Sequence, residues 1–113
     1  MPSSRALLAI LTSAAVGCLP VASRYHYETV PSTNAEAAPR PSSCAFDLLQ
    51  LRPSRPFDEL AIIENDMHNA DNAELFKTLV ADQVCQAGGD AIVAEPNSAG
   101  YYPGGVIIRY RPE

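Results

Sequence analysis

Three cysteines and two histidines are the residues of this 113-residue chain whose chemistry goes beyond packing and charge. Cys18 closes an apolar run, Ala6 to Val16, that follows the single early cation Arg5. A charged start, a short apolar stretch and small residues before a break have the form of an export signal. A signal ending in Ala15-Val16-Gly17-Cys18 suits transfer of a diacylglyceryl group to the cysteine and cleavage in front of it, which makes Cys18 the mature N-terminus. Val21-Ala22-Ser23 offers a competing cleavage site, which would release a soluble periplasmic or secreted protein beginning at Arg24. The apolar run is about half of the ~20 residues that a membrane-spanning helix needs.

Either route removes Cys18 from the thiol count and leaves Cys44 and Cys85, an even pair in a compartment that favours oxidation. A bridge between them closes a loop of about 40 residues, a constraint of about 4 kcal/mol on the chain-entropy account. Helical spacing puts Cys85 on the flank opposite Phe76 and Val80, with Thr78 and Ala81, so the bridge is expected to clip the segment around Cys44 over the outer side of a helix. The other reading is two buried thiols. His68 stands in a polar loop with Glu64, Asp66, Met67 and Asp71, a donor set that could hold a metal. The same carboxylates also complement the N-terminus of a following helix, and their spacing is not that of a calcium loop. No nucleophile is spaced to join His68 in a catalytic unit, so neither an enzyme nor a cofactor is expected. Tyr101 and Tyr102, adjacent in a loop of Gly and Pro, suit a contact with a partner, because aromatic rings lose little entropy on binding. One of them packing under the loop as a lid on a sheet is the alternative.

The elements that must position these residues follow from period. A net charge of −5 and the absence of a basic stripe argue against nucleic acid. Residues 1–17 are the signal peptide. Residues 18–43, rich in Pro, Ala and Ser, hold too few large apolar residues for a core and are expected to be a flexible tether on the lipidated Cys18. Within it, Arg24-Tyr25-His26-Tyr27 is the one patch with its own character, read as a solvated or interfacial cluster. Residues 44–113 form one small domain. Cys44 to Leu51 predicts a strand stopped by Arg52-Pro53-Ser54-Arg55-Pro56. Phe57 to Glu64 predicts a second strand, with Leu60 and Ile62 on one face and Phe57, Ala61 and Ile63 on the other.

Asp71 followed by Glu74 predicts a helix start, and Leu75, Phe76, Leu79, Val80, Val84 and Ala87 share one face from about Asn72 to Ala87. Gly88-Gly89 ends the helix. Asp90 to Glu95 and Val106 to Arg111 are the last strands, with Val106, Ile108 and Tyr110 facing one way and Ile107, Arg109 and Arg111 the other. The fold class is α+β: ββαββ, one helix on a small, mainly antiparallel sheet.

The stretch Arg52 to Leu60, the helix ending Ala87-Gly88-Gly89-Asp90-Ala91-Ile92-Val93 and the closing Ile107-Ile108-Arg109-Tyr110 resemble a group of small bacterial envelope lipoproteins. Its layout is similar to the outer-membrane sensor lipoprotein of the Rcs stress relay and, more distantly, to YbjQ-like domains labelled as heavy-metal binding. The resemblance covers about 65 residues and holds no catalytic motif. It implies an envelope protein, held in the outer membrane by its lipid, that binds another envelope protein as a sensor or accessory module. A metal- or small-ligand-binding envelope domain is the alternative. The Rcs sensor has two disulfides where this domain has cysteines for one, and no Cys or His pair of this chain has the ligand spacing the metal label requires.

Overall fold

The computed structural model describes residues 25–32, 35–65 and 68–112. The chain order is β1 (Glu28–Pro31), β2 (Asp47–Leu49), β3 (Phe57–Glu64), α1 (Ala73–Gln86), β4 (Ala91–Val93) and β5 (Gly104–Tyr110). These form a five-stranded sheet of order β1-β3-β5-β4-β2, antiparallel except for the β2–β4 pair, with α1 on one face. The α+β class stands, and the order becomes βββαββ.

The added strand is β1, and it corrects the extent of the tether. Glu28 to Pro31 pair with Glu64 to Ala61 of β3, and Tyr27 is buried in the core. Further along, Arg40 donates its backbone N–H to Cys85 O (2.8 Å) and its guanidinium to Gly89 O (2.6 Å). Tether composition fails here because pairing with an existing edge needs backbone groups and one anchoring ring, which few apolar residues can supply. Residues 18–24 and 33–34 of the expected tether, with the lipidation site Cys18 expected at its start, and the expected signal peptide 1–17 lie outside the described residues.

The helix is capped by Asn72, one residue later than expected: its Oδ1 accepts the Leu75 N–H at 2.8 Å, while Asp71 takes a hydrogen bond from the Asn72 amide. Gly88, at φ +81°, makes the turn that ends it. A side chain at Gly88 would run into Ala38 O and the Ala37 Cβ, so the absence of Cβ is needed twice over. Phe76, Val80 and Val84 are buried as expected and Leu75, Leu79 and Ala87 partly so. Cys85 is also fully buried, because the bridged segment of residues 35–44 packs over that flank of the helix, as the bridge is expected to make it do.

Strand β3 carries a bulge. Glu59 pairs with Ile108 and Ala61 with Ile107, which leaves Leu60 between them. The extra residue shifts the alternation, so Leu60, Ala61 and Ile63 are all buried, and Ile62 points away from the helix at 46% exposure. The expected pairing of Leu60 with Ile62 on one face is therefore wrong. Strand β5 follows its expected alternation. Ile107 meets Val84 beside Gly89 on the helix side, and Val106, Ile108 and Tyr110 turn to the other face.

Strands β2, β3 and β4 run in the same direction, with β5 opposed between β3 and β4. The β3–α1–β4 crossover uses the helix face. The segment from Gln50 to Pro56 must pass from the far end of β2 to the near end of β3, and it crosses the opposite face. There Arg52 reaches Glu59 (2.7 Å) and the Phe57 ring, and Arg55 lies over Tyr110. Arg111 N–H donates to Pro56 O (3.0 Å).

Candidate functional site

Each residue singled out for chemistry can now be placed. Cys44 and Cys85 form a disulfide with Cα atoms 5.9 Å apart, and Cys44 lies just before β2. His68 is exposed, and its backbone oxygen accepts from the Asn65 side chain at 2.5 Å. Asp71 is exposed beside the helix cap, and Asp66 and Met67 lie outside the described residues. Among the described residues no three of His, Cys, Asp and Glu converge as a metal site would require.

The two tyrosines of the 96–105 loop have opposite roles. Tyr101 is 44% exposed, whereas Tyr102 is 5% exposed and stacks on Phe76 with ring centroids 5.1 Å apart. Tyr102 also forms an isolated bridge with Ala70, its N–H donating to Ala70 O at 2.8 Å. It is core, which removes it from any contact surface. The ring of Tyr27 meets the other side of the same cluster, 5.3 Å from Phe76. Its hydroxyl donates to Tyr102 O (2.7 Å) and accepts the Ala70 N–H (2.9 Å). Burial pushes the Tyr27 hydroxyl pKa above its ordinary value of 10.0, a rise opposed by the Ala70 hydrogen bond and aided slightly by Tyr25. The tether patch thus supplies the buried knot that ties β1 to the 65–72 and 101–103 loops.

What the sequence reading missed is the face of the sheet turned away from α1. The strand registers place Val30, Ile62, Val106, Val93 and Leu49 side by side in one row that crosses all five strands. With a strand spacing of about 4.8 Å the row is about 19 Å long. One step along the strands on one side, Glu28 stands opposite Glu64. On the other side are Glu59, Ile108, Ala91 and Asp47, and there Ile108 and Ala91 are fully buried where the Gln50–Pro56 segment crosses. The row itself is least covered toward β1. Among the described residues, the exposed large apolar side chains are Val30 (50%), Ile62 (46%), Leu51 (78%) and Tyr101. The first two belong to the row, and Leu51 starts the segment that crosses this face. The signal was present in the alternation of β3 and β5, but the row could not be seen without β1 and the bulge.

A separate groove of about 480 Å³ opens between β1 and the C-terminal half of α1, lined by Thr29, Pro31, Leu60, Ala61, Gln83 and Ala87 among others. Gln83 donates its amide to Tyr27 O at 2.6 Å, and its buried Oε1 has no hydrogen-bond partner. No helix among the described residues is long and apolar enough to cross a membrane. Comparison with protein-family models, with curated proteins and with solved structures returns no match to this chain, so its site is read from its own residues.

Proposed function

We propose that this chain is a lipid-anchored bacterial envelope protein whose domain binds another envelope protein, as a sensor or accessory module, through the sheet face opposite α1. The observation that carries the binding role is the open end of the apolar row, Val30 and Ile62 beside the Glu28–Glu64 pair, because an exposed apolar patch with a charged border is what association buries. The envelope setting is supported by the export signal ending in Cys18, by the resemblance to small envelope lipoproteins and by the Cys44–Cys85 bridge. The contact surface replaces the tyrosine loop, where Tyr101 is exposed and Tyr102 is buried in the core.

The test is photocrosslinking in native membranes from a probe placed at Ile62 or Val30, with Asp82 on the outer side of α1 as control. One recurring envelope protein should be trapped from the first two positions and not from the third. Equal adducts from all three, or none, would overturn the reading. A second reading, a small-ligand domain, draws on the groove beside Gln83. A ligand seated there would raise the unfolding midpoint by mass action, and Ala61→Phe should abolish that rise.

A further inference from the structure

The charge that borders the apolar row narrows what it can bind, and this inference rests on the reading that the open face is a docking surface. Strand positions facing this side carry four carboxylates, Glu28, Glu64, Glu59 and Asp47, and no Lys or Arg. Glu59 is matched by Arg52 from the crossing segment, and Glu28 is touched by the His26 ring at 3.1 Å. Glu28 and Glu64 nevertheless stand directly opposite each other on adjacent antiparallel strands, an arrangement that costs stability through like-charge repulsion. They lie at the end of the row where Val30 and Ile62 are most exposed.

We propose that the occupant of this face is an amphipathic helix with a narrow apolar seam and Lys or Arg residues along its borders. The open end of the row, Val30 and Ile62 with the half-buried Val106, is about 10 Å long and matches about seven helical residues, two turns, at 1.5 Å each. The strand spacing is close to the 5–6 Å between helical neighbours three and four residues apart, so one seam can sit along one row. The Glu28–Glu64 row lies about 7 Å away along the strands, under the border of a helix 10–12 Å wide. Cations on that border would meet Glu28 and Glu64 and relieve the repulsion of the pair. A second copy of this chain is disfavoured, because it would bring the same carboxylates and another net charge of −5 to the interface. An anionic lipid surface is disfavoured on the same ground.

The test uses the disulfide-bonded full chain and two capped 14-residue helical peptides with the same leucine seam, one bordered by lysine and one by glutamate. The Leu/Lys peptide should bind saturably and the Leu/Glu peptide should not. Val30→Ser with Ile62→Ser should weaken the Leu/Lys peptide at least tenfold. Glu28→Gln with Glu64→Gln should do the same, and that pair should not lower the unfolding midpoint, since it removes a repulsion. Leu/Lys binding that ignores the serine pair would be generic charge attraction and would overturn the inference, as would equal binding of both peptides. Dimerisation of the wild type that Ile62→Ser abolishes would assign the face to a second copy and overturn it too. A crosslinked partner at Ile62 with no Leu/Lys binding would sink this inference and leave the envelope-binding reading standing.

Discussion

At the residue scale, three tyrosines separate packing from surface. Tyr101 and Tyr102 are neighbours with equal chemistry, but only Tyr102 is enclosed, stacked on Phe76 and bonded to Ala70. Tyr102→Ala should destabilise the domain by about 3–5 kcal/mol, the range for losing a buried aromatic ring, and Tyr101→Ala by less than about 0.5 kcal/mol. Denaturant titration of both variants checks this. Tyr27→Phe keeps the ring but leaves Tyr102 O and the Ala70 N–H without the hydroxyl that serves them, at a cost of about 1–3 kcal/mol. The variant should also change the alkaline limb. Because the folded state holds the Tyr27 proton to higher pH than the unfolded chain, its contribution is complete below about pH 10 and is lost as pH rises through the raised folded value. Wild-type stability should therefore fall above about pH 10 by more than that of Tyr27→Phe. Parallel falls would show that Tyr27 is not the group responsible.

At the element scale, β1 is the piece whose removal tests the fold. A chain beginning at Cys44 keeps every element the sequence made plain, but loses the Tyr27 hydroxyl knot, the β1–β3 ladder and the Arg40 bonds across the end of α1. It should unfold at markedly lower denaturant than a chain beginning at Tyr25. Equal midpoints would restore the tether reading for residues 25–43. The strong elements were legible because they announce themselves locally. The helix shows its period and its glycine stop, β3 matches its expected span of Phe57 to Glu64, and β5 was found within two residues. β1 was not legible because four exposed residues, one of them Pro31, carry no alternation of their own and are held by β3 and by a ring that precedes them. The candidate site failed for the same reason. A surface row built from one residue on each of five strands has no signature along the chain, and the bulge at Leu60 turns that residue inward and away from the face it was expected to share with Ile62. Where one short segment did carry the chemistry, as at Cys44 and Cys85, the reading reached the bridge but not the burial of Cys85, which depends on residues 35–44.

At the scale of the whole molecule, the bridge and the N-terminal segment decide how the domain is held. The bridge closes a separation of 41 residues that contains β2, β3 and nearly all of α1, so reduction should lower stability by up to about 4 kcal/mol. Part of that constraint is duplicated by the Arg40 hydrogen bonds to Cys85 O and Gly89 O. Reduction should therefore cost more in a chain that also carries Arg40→Ala, which removes the guanidinium bond to Gly89 O and leaves the backbone bond to Cys85 O. The packing of Tyr27 and β1 has a larger consequence for reach. With folded structure beginning near Tyr25, a lipid on Cys18 would have seven residue steps to the domain, about 25 Å at full extension. This is far less than the contour of a chain running free to residue 43, and in a lipidated chain it would hold the β1 edge and the exposed end of the apolar row near the membrane surface. If Cys18 is lipidated, labelled palmitate should be incorporated, the protein should sediment with membranes, and Cys18→Ser should abolish both. A soluble protein whose intact mass begins at Arg24 would instead assign cleavage to Val21-Ala22-Ser23. A flexible insertion of about 20 residues after Arg24 should leave the unfolding midpoint unchanged, since it precedes every packed residue among those described. It should weaken crosslinking from Ile62 to a membrane-held partner, because a longer linker lowers the effective concentration of the two surfaces. Crosslinking that persists at full yield would show that the partner meets this face from solution.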